Sequence, residues 1–194
     1  MLYTRKGDNG TTGLFSAKGR PASGWGCNQR ISKSSAIAEA LGNLDEINSF
    51  LGVLKVKCGK EKKLILNKQK FSEILHRIQE DLFIIQAELA GADKKISKEK
   101  ILKLEEIINL AEKKLPVIKT FFISGGTEIS ALFDFARTMA RRAERRVVEV
   151  SEEGKVKISK ESLAFLNRLS GLLYILARLS NHKFDINEIS PKYK

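Results

Sequence analysis

Five long stretches of this chain repeat apolar residues in alternating steps of three and four, the period of a helix with one buried face. The first, 32–57, carries Ile37, Leu41, Leu44 and Leu51, with Asn48 interrupting the seam. The second, about 61–90, carries Phe71, Leu75, Ile78, Leu82, Ile85 and Leu89. A third starts at Ser97, an expected N-cap, runs through Ile101, Leu104, Ile108, Ala111 and Leu115, and is stopped by Pro116. After Gly125-Gly126 a fourth has the seam Ile129, Leu132, Ala136, Ala140, Ala143, Val147 and Val150, whose alanines allow close approach of neighbours. A fifth, about 159–181, shows Leu166, Leu169, Leu173, Leu176 and Ser180. No alternating strand pattern persists anywhere. The chain is therefore expected to be all-α, an antiparallel five-helix bundle with a glycine-rich N-terminal loop.

Residues 1–194 read as one domain, with 1–31 a loop region and 183–194 a polar tail expected to be mobile, as is the linker around Ser151–Lys157. The 42% hydrophobic content is enough for one sizeable core. No stretch approaches the roughly 20 apolar residues of a membrane span, and MLYTRKGDNGTTG lacks the apolar run of a secretory signal. A cytoplasmic protein that meets no membrane is expected. Cys27 and Cys58 stand apart with no histidine near either, the pattern of incidental thiols. The net charge of +12 favours an anionic partner, nucleic acid and polyphosphate among them, although lysine runs such as Lys60, Lys62 and Lys63 mainly solvate helix faces.

Some residues are not explained by bundle packing. Arg137, Arg141 and Glu144 stand at i, i+4 and i+7, within about 60° of one another on a helix, and flank the alanine seam. Arginines held at a packed face need acid partners or a bound anion. A basic surface helix stitched by i,i+4 pairs is the alternative. Asp45 and Asn48 lie beside Leu41 and Leu44 on the first segment, and Asn167 adjoins Leu166 on the fifth. Polar groups beside the packed faces of three helices suggest the wall of a site. In TRKGDNGTTG, glycines 7, 10 and 13 let backbone N–H groups converge, Thr4, Thr11 and Thr12 add hydroxyls, and Arg5 and Lys6 add charge. That is phosphate-cradling chemistry, without the spacing of a P-loop. Glu73–His76 is a single ExxH with no second copy near His182, which argues against a di-iron bundle and makes His76 a surface residue.

Taken in order, TRKGDNGTTGLF, Ser32-Lys33, ALGNLDEINSFLG, SGGTEISALFDFARTMARRAERRVV and LAFLNRLSGLLYILARLSN resemble the PduO-type ATP:cob(I)alamin adenosyltransferases over most of the chain. The resemblance implies a five-helix bundle, a homotrimer with active sites between subunits, and transfer of the 5′-deoxyadenosyl group of ATP to cob(I)alamin. Triphosphate is released, and magnesium sits on the phosphates with Glu144 a candidate ligand. By matching positions, Thr4, Arg5, Lys6, Gly7, Asp8, Gly10, Thr11, Thr12 and Lys33 hold the triphosphate, and Arg137 pairs across the interface with Asp45. Arg141, Glu144 and Asn167 line the ATP site, with Arg142 in support. Phe121 lies under the corrin ring, where it excludes the lower cobalt ligand and eases reduction to Co(I). A flavin-type reductase and an adenosylcobalamin-dependent enzyme are the further partners implied. Cobalt supplies the nucleophile, so the scarcity of histidine is no obstacle.

Three departures from the family pattern stand out: Ser124 for a frequent proline, Gly171 for a frequent aspartate, and a longer Gly19–Arg30 stretch holding Trp25 and Cys27. The rival readings are a basic nucleic-acid-binding bundle, a scaffold whose polar groups only fix register, and a ferritin-like oxidase. No recognised nucleic-acid motif supports the first.

Overall fold

A computed structural model describes residues 3, 5–14, 30–154 and 156–193. Five helices carry the fold: α1 (Ala36–Lys60), α2 (Phe71–Leu89), α3 (Lys98–Glu112), α4 (Glu128–Glu152) and α5 (Lys160–Lys183). Cross-helix contacts fix their directions. Lys57 of α1 meets Glu128 of α4 at 2.5 Å, and Arg146 of α4 meets Glu39 of α1 at 3.9 Å, so these two run antiparallel. Thr127 N–H donates to Asn181 at one end of the α4–α5 pair and Asn167 donates to Glu144 at the other, so that pair is antiparallel too. The expected bundle is present.

Local chemistry sets where each helix begins. Ser35, Thr127 and Ser159 have extended backbones, and their hydroxyls accept from Ala38 N–H at 3.3 Å, Ser130 N–H at 3.0 Å and Ser162 N–H at 3.3 Å. Each cap satisfies an amide that the helix leaves without a partner. Ser97 precedes α3 as expected, without a side-chain capping bond. Inside, Phe71, Phe133 and Phe165 are fully buried, and Phe71 meets Phe133 edge-on at 6.2 Å. Ala136, Ala140 and Ala143 are fully buried, as their small size predicted for the α4 seam.

Four sequence expectations are corrected. Short strands do occur: β1 (Thr11–Gly13) pairs antiparallel with β2 (Arg30–Ser32), and β3 (Ile65–Leu66) with β4 (Gln69–Lys70). The second helix therefore starts at Phe71, because Asn67 (φ 46°) and Lys68 (φ 66°) form a two-residue hairpin turn instead of a helical one. The tail is not free. Ile123 N–H donates to Ile189 O at 2.8 Å, and Glu188 reaches Arg178. Finally, α5 is long and apolar enough for a membrane span, yet most of its apolar residues are buried in the bundle core.

Candidate functional site

Arg137 and Arg141 stand one helical turn apart on α4, about 6 Å along its axis, and line two different depressions on its α5 side. The first is a cleft of about 550 Å³ between the 118–125 segment, the start of α4, the end of α5 and Glu188. Phe121 stands at its rim, 77% exposed, a position that only a bound apolar surface would cover. Asp134, Arg137, Tyr174 and Arg178 supply polar groups to the lining.

The turn entering α4 holds this cleft in shape. Asn181 of α5 donates to Gly125 O at 3.0 Å and accepts from Thr127 N–H at 3.0 Å. Gly126 (φ 97°) faces that carboxamide so closely that any Cβ would collide with it. This explains the second glycine of SGGT. Ser124 stands where proline was expected from the resemblance and lies in the same cleft lining as Asp134. Burial pushes the Asp134 pKa up, against the opposing pull of Arg137, Ser124 and the Gly125 backbone. Burial likewise raises Tyr174. Arg137 Nε lies 3.6 Å from Asp134 Oδ1, too far for a hydrogen bond. Arg137 Nε and Ser130 Oγ are both buried without a hydrogen-bond partner. Orphaned polar atoms beside an open cleft suit a site completed by something else.

The second depression, about 310 Å³, is a polar groove lined by Arg141, Glu144, Arg145, Val148, Glu149, Glu152 and Asn167. Asn167 Nδ2 donates to Glu144 Oε1 at 3.0 Å, and Arg168 Nη1 donates to Asn167 Oδ1 at 3.1 Å. The neighbouring arginines are paired: Arg142 bonds Asn43 at 2.7 Å and Glu46, and Arg146 bonds Glu149 at 2.9 Å. Arg141 and Arg145 have no ion pair among the described residues, and Arg142 pairs across to α1, so pairs stitched along the helix account for Arg146 and leave Arg141 unexplained. Sequence reading grouped Arg141, Glu144 and Asn167, and the structure brings all three into this groove.

The N-terminal loop is two successive turns, Asp8 N–H to Arg5 O at 3.3 Å and Gly10 N–H to Gly7 O at 3.2 Å. Lys33 N–H donates to Gly10 O at 2.9 Å, and a Cβ on Gly7 would lie 3.3 Å from Lys33 Nζ. Lys33 thus lies over Gly7, as a shared anion would require. Arg5, Lys6, Asp8 and Gly10 are exposed, with Thr12 half-buried beside them. Thr4 lies outside the described residues, as do Gly19–Gln29 with Trp25 and Cys27. The Thr11 hydroxyl donates to Asn9 Oδ1 at 2.7 Å and accepts from Arg30 Nε at 2.7 Å. Its proton is already engaged, so Thr11 shapes the loop instead of donating from it. Asn9 and Arg30 were missed by sequence reading, since only the strand pairing brings Arg30 back to Thr11.

Asp45 is exposed on the outer face of α1 and has no ion pair with Arg137 within the chain. No group of three or more His, Cys, Asp or Glu side chains among the described residues is arranged to hold a metal ion. His76 is exposed beside Glu80, as expected of a surface residue. The Cys58 thiol is buried, with its pKa pushed up to about 12 by desolvation and by Glu61.

Comparison with known proteins bears on the fold and the family. The profile of the cobalamin adenosyltransferase family matches residues 2–180. The corrinoid adenosyltransferase PduO of Citrobacter freundii is 37% identical over 198 residues, which cover 98% of this chain and 53% of that protein. The corrinoid adenosyltransferase of Mycobacterium leprae is 34% identical, covering 95% of this chain and 93% of that one. The chain thus spans about half the length of its PduO relatives and most of the shorter ones. A phenylalanine-to-alanine variant of the PduO-type ATP:corrinoid adenosyltransferase of Lactobacillus reuteri, complexed with cobalamin and ATP, superposes with a TM-score of 0.82. It has 30% identity and full coverage of both chains. An arginine-to-lysine variant of the Lactobacillus reuteri enzyme, complexed with ATP, gives 0.83 at 28% identity, covering 99% of this chain and 100% of that one. The chain belongs to the cobalamin adenosyltransferase family.

Proposed function

We propose that this protein transfers the 5′-deoxyadenosyl group of ATP to the cobalt of cob(I)alamin and releases triphosphate. The observation that carries the reading is the adjacency of an apolar-rimmed cleft and a polar groove, with Arg137 lining one and Arg141 the other a single turn away. A flat macrocycle suits the first and a nucleotide the second. The Co(I) electron pair attacks C5′ of the ribose, the C5′–O bond breaks, and its electrons leave on the triphosphate. The protein's tasks are alignment and stabilisation of the departing charge.

Arg141, free of any acid partner among the described residues, is placed to meet that charge, with Asn167 and Glu144 holding the nucleotide beside it. Lys33 and the loop from Thr4 to Thr12 grip the phosphates. Mg²⁺ fits this donor set: it is commonly held by one carboxylate and the substrate's own phosphates, and Glu144 supplies a carboxylate in the same groove as Arg141. Bound there, it would neutralise phosphate charge. Phe121 covers the lower face of the corrin.

Asp45 points outward from α1 on one side of α4, whereas Arg137 and Arg141 line the α5 side. An Asp45–Arg137 pair would then join two copies, and the assembly we adopt for it is the homotrimer that the family resemblance implies. The outer face of α1 also exposes Val53 and Val56, apolar surface for such a contact. A cytoplasmic location, a flavin-type reductase upstream and an adenosylcobalamin-dependent enzyme downstream complete the reading.

Purified protein mixed with Mg-ATP and chemically reduced cobalamin tests it. The cob(I)alamin spectrum is expected to convert, only with ATP, into that of light-sensitive adenosylcobalamin. No conversion by folded protein with verified Co(I) would sink the assignment.

A further inference from the structure

Phe121 sits on a segment, 117–123, that belongs to no helix or strand and exposes Val117, Ile118, Phe121 and Ile123. Something must hold so apolar a segment in one shape. One buried side chain of α5 does most of it. Arg178, only 3% exposed, donates from Nη2 to Pro116 O at 3.3 Å and stacks on the Phe122 ring with its guanidinium 4.9 Å from the ring centre. The same Arg178 binds Glu188 of the C-terminal tail through Nε, at 2.8 Å and 3.1 Å to the two carboxylate oxygens. Ile189 O, the next residue of the tail, accepts from Ile123 N–H. The two residues that follow Phe121, Phe122 and Ile123, are thus tied to α5 and to the tail.

A buried guanidinium needs its counter-charge. Removing Glu188 removes the reason for Arg178 to stay where it holds both Pro116 and Phe122. We infer that Arg178 is a positioning residue and that its pair with Glu188 is a latch by which the C-terminal tail fixes the presentation of Phe121 to the cleft. The inference rests on the reading of that cleft as the corrinoid site. Both residues also lie in the cleft lining, but the role assigned to them is to hold the segment that presents Phe121.

Glu188→Gln keeps the shape of the side chain and removes the charge. It is expected to leave helix content and the KM for ATP unchanged. The KM for the corrinoid should rise on the order of tenfold or more, the scale on which a misplaced contact is felt. The spectroscopic signature of ATP-dependent loss of the lower ligand from cob(II)alamin should weaken in parallel. Hydrogen exchange at the Ile123 amide should speed up at least about tenfold, and this holds whatever the cleft binds. Arg178→Lys should restore neither signal, because an ammonium cannot stack and bond in one plane. Unchanged exchange in a folded Glu188→Gln variant would overturn the latch. Faster exchange with an unaltered corrinoid KM and cob(II)alamin spectrum would overturn the positioning role. Failure of the wild-type protein to bind corrinoid at all would instead overturn the functional reading, and the exchange measurement would still decide the latch.

Discussion

Arg137 and Arg141 occupy consecutive turns of α4, yet their surroundings are opposite in kind. Arg137 lines a cleft with an apolar rim, its Nε buried and unsatisfied near a carboxyl whose pKa burial has raised. Arg141 lines an open polar groove, exposed, with Glu144 and Asn167 in the same lining and no acid of its own among the described residues. Similar side chains on one helix are therefore prepared for different ligands by what α5 and the 118–125 segment place against them. On the proposed reading, the first arginine is completed by a partner subunit and the second neutralises an anion.

The comparison breaks most readily at the groove. Arg141→Ala should lower kcat/KM by about 10²- to 10³-fold, the usual cost of removing a group that stabilises developing charge, with circular dichroism unchanged. Lesser in effect, Asp45→Asn should weaken assembly and raise the corrinoid KM together. Sedimentation against concentration would show the trimer dissociating, and an intact, fully active trimer would show that the pair with Arg137 is decorative. Asn167→Ala should cost about 1 kcal/mol of nucleotide binding, roughly fivefold, because it removes one exposed hydrogen bond to Glu144.

The cleft offers a smaller test through pH. Burial makes the native chain hold the Asp134 proton more tightly than the unfolded chain does. That contribution to stability is complete below the ordinary aspartate range and is lost as pH rises through the higher native value. Asp134→Asn should flatten this decline in a series of thermal melts. An identical pH profile would show that Arg137 already neutralises the carboxylate. Smallest of all, Cys58 should resist alkylation in native protein, as read by mass mapping, because a thiol raised to about 12 and buried offers almost no thiolate.

The bundle was legible because apolar periodicity is a local signal, and the five helical segments named from sequence are the five observed, although α3 ends at Glu112, short of Leu115 and Pro116. Helix spacing grouped Arg137, Arg141 and Glu144, which the structure divides between two depressions; the set Arg141, Glu144 and Asn167 came from the family resemblance. What was hidden depends on contacts distant in the chain. Arg178 and Asn181 carry no local signal in α5, and only the packed structure puts them against Pro116, Gly125 and Thr127. The hairpin at 65–70 escaped because Asn67 and Lys68 lack the Asn-Gly signature of a tight turn. Glu188 looked like part of a loose tail, since nothing local predicts an ion pair with a buried arginine ten residues upstream.

The most direct test of the division between cleft and groove is titration of Arg141→Ala with Mg-ATP and, separately, with cob(II)alamin. The account predicts that nucleotide affinity falls at least tenfold while corrinoid affinity is retained. Equal loss of both, or loss of neither, in a variant with native helix content would contradict it.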